Sequence, residues 1–501
     1  MQIGNEQETF SAKLVDKKRM QPSYFIGVDI GTQGARVVLV NQNGIMVGSK
    51  EESFPLNNQS REEQSPELWW SSCLTSLRAL CYELKPVIDL SHVRAIAVTS
   101  TSGTIIPLDK SNRPLHAAIM YSDPRSVQEA RLCKAAASTS GSMGFTAFNA
   151  SCGLSKMVWF VNNFPEKASQ LGMFIHAADY ITGQLSGNFK VTDYTNALKS
   201  GYDIVQLQWP DFITKALPIK PEWLQEVVPT GVSVGCLKSE LAEQLGLSDK
   251  IIITAGVTDG CASQVASGAV KPGDWNTTIG TTLVIKGVTA KEVKDPTGVL
   301  YCHRHPEGYW MPGGASNTGA DWVSRLFGQS DLNEINAAAA KLIPTGLLAW
   351  PLLQQGERFP FVAPDAQGFA PEELSEAELF TAYMEGVAYI ERYAYERIQM
   401  LSGETIHQVY TAGGASNSDA WLTIRSNVLG VPVYKMQSVS GAAGAAILAA
   451  SKTYYTSLSE AAGNMVQVQK IETPDKDLVD QYDQTYTQFI NTLKLKGYIP
   501  E

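Results

Sequence analysis

The stretch that decides the fold is Tyr24-Phe-Ile-Gly-Val-Asp-Ile-Gly-Thr-Gln-Gly-Ala-Arg-Val-Val-Leu-Val-Asn41. Its two apolar runs flank a glycine-containing turn, which predicts a β-strand, a tight turn and a second β-strand. Gly31 and Gly34 permit tight backbone turns, and exposed N–H groups in such a turn are able to hold a phosphate. Thr32 would add a hydroxyl donor, and Asp29 a carboxylate of the kind that Mg²⁺ prefers. The alternative interpretation is an ordinary hairpin turn.

The same shape recurs in the second half of the chain. The segment Asp274-Trp-Asn-Thr-Thr-Ile-Gly-Thr-Thr-Leu-Val-Ile-Lys-Gly287 again reads as strand, small-residue turn and strand, with Gly280-Thr281 in the turn. This weak internal repeat indicates two similar domains that face a common cleft. Paired with the first turn, the second predicts a two-sided phosphate clamp for a nucleotide. Taken alone, turns of this composition are usually structural.

Asp259 follows a predicted β-branched strand at Ile251–Thr254 and lies in Gly256-Val-Thr-Asp-Gly-Cys-Ala262. Its small neighbours would let a ligand approach, and a carboxylate within hydrogen-bond reach can accept a proton from a substrate hydroxyl. The alternative is a helix N-cap that contributes about 1 kcal/mol to stability. From local sequence, the two interpretations have nearly equal weight.

A third glycine-rich segment, Gly413-Gly-Ala-Ser-Asn417, lies between a predicted strand at 409–411 and a predicted helix. Its backbone would lie against a flat base, with Asn417 hydrogen-bonded to the base edge. Taken alone, the segment is better explained as a plain strand-to-helix turn. The P-loop and dinucleotide-binding fingerprints do not occur in the sequence, so neither of those sites is predicted.

The composition excludes several functional classes. The 501 residues include 40 Lys and Arg against 50 Asp and Glu, which gives a net charge of −10. This acidity argues against nucleic-acid binding and against a polybasic membrane anchor. Hydrophobic residues make up 44% of the chain, enough for large cores, and we expect no membrane span. Residues 1–23 are polar and are expected to form a flexible N-terminal tail.

Cysteine and histidine usage predicts neither a disulfide framework nor a metal cluster. The seven cysteines are scattered without a CxxC pair, which favours a reducing, cytoplasmic setting. Cys261 is expected to be a small buried residue rather than a nucleophile. His303 and His305 are expected to flank an exposed turn.

Taken together, these segments resemble the FGGY carbohydrate kinase family, which belongs to the sugar kinase, actin and chaperone ATPase superfamily. The resemblance covers about residues 24 to 455 and depends on several stretches in the family's order. They are Asp29-Ile-Gly-Thr32, Tyr121-Ser-Asp-Pro-Arg125, Lys156-Met-Val-Trp159, Asp179-Tyr-Ile-Thr-Gly-Gln-Leu-Ser-Gly187, Thr192-Asp-Tyr-Thr-Asn-Ala197, Gly256-Val-Thr-Asp-Gly-Cys-Ala262, Gly280-Thr-Thr282 and Gly413-Gly-Ala-Ser-Asn417.

The resemblance implies an α/β fold of two actin-like (ribonuclease H-like) domains around a central cleft. The sugar-side domain would span 24–253 and the nucleotide-side domain 254–501. It also implies ATP-dependent phosphorylation of a sugar or polyol hydroxyl, with Asp259 as catalytic base and Asp29 organising Mg²⁺ and substrate. The residues implied to bind ATP are Thr32, Gln33, Gly280, Thr281, Gly413, Gly414 and Asn417.

Departures from the family pattern bear on the substrate. Ser100-Thr-Ser-Gly-Thr104 contains no histidine where many xylulose kinases carry G-Q-M-H-G, and Tyr121 replaces a tryptophan. With Gly313–Gly319, these features resemble cyanobacterial and plastid-type kinases that favour D-ribulose, although Gly313–Gly319 also fits a turn without a ligand. Ser102 and Asp123 then become candidate sugar contacts.

The function predicted from the sequence is a cytoplasmic kinase for a ketopentose, D-ribulose first and D-xylulose second. Its partners would be the sugar and ATP, with no nucleic acid or membrane, and a homodimer is possible. The rival predictions are an actin- or chaperone-like ATPase driven by a protein partner and a catalytically weak sugar sensor. The family-type segments at 121–125 and 192–197 argue against the ATPase, and the intact Asp29, Thr32 and Asp259 argue against the sensor.

Overall fold

The fold is taken from a computed structural model that describes residues 22–141 and 147–500, so the predicted tail lies almost wholly outside the described residues. The strands, in chain order, are β1 (Tyr24–Ile30), β2 (Gly34–Asn41), β3 (Met46–Ser53), β4 (Glu63–Gln64), β5 (Val93–Ser100), β6 (Ile105–Asp109), β7 (Ala118–Ile119), β8 (Leu171–His176), β9 (Val191–Asp193), β10 (Glu226–Val228), β11 (Ser233–Cys236), β12 (Ile252–Thr254), β13 (Val257–Thr258), β14 (Trp275–Ile279), β15 (Leu283–Gly287), β16 (Tyr301–Arg304), β17 (Trp310–Ser316), β18 (Val409–Ala412), β19 (Val433–Met436) and β20 (Val468–Glu472).

The α-helices are α1 (Pro66–Leu84), α2 (Val127–Thr139), α3 (Gly153–Asn163), α4 (Pro165–Ala168), α5 (Ala177–Ser186), α6 (Tyr194–Ala197), α7 (Phe212–Lys215), α8 (Ser239–Leu245), α9 (Asp259–Ser267), α10 (Asp321–Leu326), α11 (Leu332–Ala339), α12 (Glu376–Ser402), α13 (Asp419–Leu429), α14 (Gly441–Ser451), α15 (Leu458–Met465) and α16 (Lys476–Leu495). Short 3₁₀ helices span Leu90–His92, Leu198–Ser200, Pro221–Trp223 and Gly414–Asn417. Among the described residues, no helix is long and apolar enough to cross a membrane.

Two large mixed sheets share one topology, which confirms the predicted α/β class and the internal repeat. The first sheet has the order β11-β12-β5-β1-β2-β3, and the second contains the order β20-β19-β18-β14-β15-β17. The pattern of parallel and antiparallel pairs is the same at every corresponding position. β13 adds to β5 in the first sheet, and β16 adds to β17 in the second.

Each sheet carries one hairpin with a three-residue loop, as the sequence predicts. Residues 31–33 join β1 to β2, and residues 280–282 join β14 to β15. The Gly31 amide donates to the Gly34 carbonyl at 3.0 Å, and the Gly280 amide donates to the Thr282 carbonyl at 3.0 Å. The two loops therefore occupy equivalent positions in the two halves of the chain.

Helix α14 connects the halves, because it lies in the chain between β19 and β20 of the second sheet but packs on β1, β5 and α9. Every residue of α14 is buried. Its Gly- and Ala-rich sequence permits this close packing, since small side chains let backbones approach each other. Separate apolar cores lie on the two sheets, and Cys261 is buried as predicted.

Candidate active site

Strand register brings Asp29 and Asp259 to the same edge of the first sheet. In the parallel pairs of β5, Asp29 lies opposite Thr99, and Thr258 lies opposite Ser100. Because β1 and β13 flank β5 on either side, the backbones at Asp29 and Asp259 are separated by two strand spacings, about 10 Å. Open parallel sheets place their ligands beyond the carboxyl ends of such strands.

The Asp29 carboxylate is half-buried and has no hydrogen-bond donor among the described residues. Burial, followed by the negative charge of Asp259, raises the pKa of Asp29 to about 6. The carboxylate packs against the start of α14, where a Cβ at Gly441 would lie 2.9 Å from Asp29 Cγ. Backbone atoms of this helix therefore fix the position of the carboxylate.

Asp29 has the chemistry that Mg²⁺ needs here. Mg²⁺ in nucleotide sites is held by one or two carboxylates together with water and substrate phosphates. The described residues contain no cluster of three or more metal-ligating side chains, so an all-protein cage is not formed by them. Asp29 is a single carboxylate that accepts no hydrogen bond from the described residues and lies at the mouth of the cleft. It therefore fits a Mg²⁺ site that water and substrate phosphates complete.

Asp259 is the first residue of α9 and is exposed to the cleft. The N-cap residue is Thr258, and Asp259 Oδ1 accepts a hydrogen bond at 2.6 Å from the amide of its neighbour Gly260. The N-cap interpretation of Asp259 is therefore wrong. Its second oxygen remains available to a ligand, which leaves the base interpretation standing as a prediction.

The loop of the first hairpin presents free backbone donors. Its carbonyls are occupied, because Thr32 accepts from Gln64 Nε2 at 3.0 Å and Gln33 accepts from the Phe54 amide at 2.8 Å. Within residues 22–141 and 147–500, the amides of Thr32 and Gln33 donate to no acceptor. Held carbonyls and free N–H groups are the arrangement that an anion requires.

The loop of the second hairpin is fixed from one side by the turn after β17. The Ala320 amide donates to the Gly280 carbonyl at 2.7 Å, and the Leu283 amide donates to the Thr318 carbonyl at 3.0 Å. Gly319 lies between these bonds, so close that a Cβ there would be 2.6 Å from Thr282 Cα. The segment 313–319 therefore supports this loop, a role that sequence reasoning did not identify.

Buried Glu357 in turn holds that supporting segment. Its oxygens accept from Ser316 Oγ and Thr318 Oγ1, each at 2.8 Å, and from the Asn317 amide at 2.7 Å. All three donors lie about 40 positions earlier in the chain, so nothing local to Glu357 in the sequence indicates this role. Bonds to a buried carboxylate are among the stronger ones in proteins.

Four of the residues predicted to bind ATP line one pocket of about 700 Å³: Gly280, Thr281, Gly414 and Asn417. Gly413 is behind the pocket wall, with φ of +91° and a Cβ position 2.9 Å from the Ile279 carbonyl carbon. Only glycine fits there, so Gly413 shapes the pocket without lining it. Lining side chains that the sequence did not indicate are Asp321, Ser324, Phe327, Asn333, Asn336 and Trp421.

The two candidate sugar contacts have different surroundings. Ser102 lies in the turn that follows β5, at the same sheet edge as Asp29 and Asp259. Asp123 is buried, and its carboxylate accepts from Arg125 Nε at 3.0 and 2.9 Å and from Arg125 Nη2 at 2.6 Å. A sugar hydroxyl at Asp123 would share oxygens that already bind Arg125. Both assignments stay predictions.

Two lysines beside Asp259 were missed by the sequence reading. Lys286 extends from β15 to the start of α9, where a Cβ at Gly260 would lie 3.4 Å from Lys286 Cε and closer still to Nζ. Lys199, in the 3₁₀ helix at 198–200, reaches the turn after β5, with its Cδ 3.3 Å from a Cβ position at Gly103. Burial lowers the pKa of Lys199, while the charge of Asp259 acts in the opposite direction.

His303 and His305 lie at the β16–β17 turn, whose tip at Gly308 and Tyr309 is exposed, but neither histidine side chain is exposed. Both side chains are buried, His303 within β16 and His305 at the strand's end. Burial, with the nearby charges of Lys286 and Lys199, lowers the pKa of His303 to about 3, so this imidazole is neutral at pH 7. The residue is near the lysines and adds no charge to the site.

Comparisons with known proteins find matches to both halves of the chain. Models of the N-terminal and C-terminal domains of the FGGY family of carbohydrate kinases match residues 24–266 and 275–453. A gluconokinase from Bacillus subtilis is 26% identical over 94% of this chain and 96% of its own length. A xylulose kinase from the same organism is 25% identical over 93% and 96%. A ligand-bound xylulose kinase from Lactobacillus acidophilus superposes with a TM-score of 0.80 and 23% identity over 94% of this chain and 98% of that one.

Proposed function

The chain belongs to the FGGY family of carbohydrate kinases and is an ATP-dependent sugar kinase; from that premise we propose which of its residues carry out the transfer. Asp259 is the general base, Asp29 holds Mg²⁺, and the two hairpin loops bind the phosphates. The observation that carries this proposal is the placement of Asp29 and Asp259 at one sheet edge by the shared register with β5.

In this mechanism, the Asp259 carboxylate accepts the proton of an acceptor hydroxyl as that oxygen attacks the γ-phosphorus of ATP. The bond from phosphorus to the bridging oxygen breaks, and ADP leaves with its electron pair. The free amides at 32–33 and in the 280–282 loop hold phosphate oxygens. Ionised Asp29 is the side chain that would hold Mg²⁺, which would supply charge neutralisation on the phosphates.

The nucleotide lies in the pocket lined by Gly280, Thr281, Gly414 and Asn417. The aromatic residues Phe327 and Trp421 in the same pocket supply apolar surface for a base. This arrangement supports the predicted roles of these four residues. Because both matching models are carbohydrate kinase domains, the rival actin- or chaperone-like ATPase prediction is set aside.

Two acceptor classes are consistent with the family. One is a neutral ketopentose, D-ribulose before D-xylulose, as the sequence predicts. The other is a sugar acid, since one relative is named a gluconokinase. The predicted cytoplasmic location and homodimer stay predictions.

The test is acceptor-dependent ADP formation from Mg-ATP by the full chain. The panel is D-ribulose, D- and L-xylulose, L-ribulose, ribitol, glycerol, D-gluconate and ketohexoses. The proposal expects one acceptor to raise ADP formation at least 100-fold above hydrolysis without acceptor, a range that positioning and base catalysis readily supply. Equal rates with every compound and with none would refute it.

A further inference from the structure

The cleft beside Asp259 contains two ammonium groups to which the mechanism gives no role. Lys286 comes from the second sheet and Lys199 from the first half of the chain, and both approach the start of α9. The charge of Asp259 acts on both lysines, and the charge of Lys286 also acts on Lys199. Residues far apart in the sequence thus place two positive charges around the proposed base.

Neither ammonium group has a partner among the described residues. Within residues 22–141 and 147–500, the side chains of Lys199 and Lys286 make no ion pair and no hydrogen bond. Both side chains are only partly buried, and neither nitrogen is among the buried polar atoms without a partner, so both reach the water of the cleft. Burial lowers the pKa of Lys199, and a bound anion would relieve this cost of desolvating its charge. The pKa of Lys286 is raised despite its burial, because Tyr301, Cys261 and Asp259 favour its charged form.

The local charge balance also calls for an anion. Lys199 and Lys286 contribute two positive charges against the single negative charge of Asp259, and His303 is neutral at pH 7. The proposed mechanism requires Asp259 to remain free for the acceptor's proton, so it is not the counter-ion for both lysines. One further negative charge would make the sum of the charges of Lys199, Lys286 and Asp259 zero.

The phosphates of ATP are less suited to this role than the acceptor. The phosphate-binding loop ends at Thr282, and Lys286 lies four residues further along an extended strand, about 13 Å away at 3.3 Å per residue. Asn276 of β14 and Gly313 of β17 pair with Lys286 in the sheet, and both lie in the parts of these strands that are remote from the loop. The backbone of Lys286 therefore lies away from the 280–282 loop and beside the start of α9.

We infer that the acceptor is a sugar acid, whose carboxylate is bound between Lys199 and Lys286 while one of its hydroxyls faces Asp259. This inference rests on the proposed function and names the substrate class for the same site. The lysines are specificity residues, because they contact the carboxylate and not the transferred phosphoryl group. A neutral ketopentose would leave both charges unpaired.

The experiment compares acceptors that differ only in charge: D-gluconate with D-glucitol, and D-ribonate with ribitol. For the wild-type chain we expect kcat/KM for one acid to exceed that for its matched polyol by at least about 100-fold, the scale of a lost charge-assisted bond in a desolvated site. Lys286→Met and Lys199→Met should each lower this acid-to-polyol ratio at least tenfold. Lys286→Arg, which keeps the charge, should restore most of it.

Lys134→Met is the matched control, because Lys134 is exposed on α2 and should leave the ratio unchanged. Thermal unfolding of each variant shows whether it folds. A polyol or ketopentose used as well as the matched acid would overturn the inference and leave the proposed function intact. Lysine variants that slow all acceptors equally would also overturn it, because the lysines would then act on the phosphoryl group. Absence of any acceptor-dependent ADP would instead refute the proposed function.

Discussion

Gly319→Ala tests whether the turn after β17 sets the position of the second phosphate-binding loop. A Cβ at this position would lie 2.6 Å from Thr282 Cα and 2.7 Å from the Thr281 carbonyl carbon. Both atoms belong to the backbone, so no side-chain rotation relieves the clash. The Thr281 carbonyl oxygen lies closer still, so restoring an ordinary contact of 3.4 Å requires the loop to shift by about 1 Å.

A displacement near 1 Å in a positioning element costs roughly 10²-fold in activity. Overpacking adds about 1–3 kcal/mol of destabilisation. We therefore expect the Kd for ATP, measured by calorimetry, to rise at least tenfold, with a lower but still cooperative thermal transition. The control is Gly463→Ala on the exposed face of α15, where a new Cβ meets nothing within 4 Å. A folded Gly319→Ala protein that binds ATP like wild type would refute the reasoning.

Three further predictions concern charge. Activity should fall as the pH drops through about 6, because Asp29 is then protonated. A higher Mg²⁺ concentration should move this acidic fall in activity to lower pH. A fall in activity at the same pH whatever the Mg²⁺ concentration would contradict the assignment of Asp29. Since folding raises the pKa of Asp29 from 3.8, the contribution of Asp29 to the stability of the ligand-free protein should decrease as pH rises from 3.8 to about 6, as measured by urea unfolding of wild type against Asp29→Asn. Arg425 donates to both oxygens of buried Glu391 at 2.7 Å. Arg425→Met should lower the free energy of unfolding by about 3–5 kcal/mol, because it leaves the buried carboxylate unpaired, and adding Glu391→Leu should recover most of this loss. Equal stability of the single and double variants would contradict this.

The parts of the site that the sequence predicted are those determined locally. Each hairpin is a strand, a small-residue turn and a strand within about fifteen consecutive residues, so its pattern is visible without the rest of the chain. The start of α9 at Asp259 is likewise a local strand-to-helix transition. Only the register of β5 against β1 and β13, however, brings Asp29 and Asp259 together.

The parts that the sequence missed depend on contacts between distant segments. Lys199 and Lys286 look like ordinary charged residues until folding places them beside Asp259. Glu357 supports a turn about 40 residues earlier through buried hydrogen bonds. His303 was expected beside an exposed turn, but pairing of β16 with β17 buries its side chain. Local patterns carry no information about such pairings.

The most direct test of the central claim is the acceptor-dependent activity of Asp259→Asn. Asparagine keeps an oxygen for the Gly260 amide, so the start of α9 should stay intact and the affinity for ATP should change little. Without a base, kcat should fall by about 10²–10⁴-fold. A folded variant that binds ATP normally and keeps kcat within a factor of a few of wild type would contradict the assignment of Asp259 as the base.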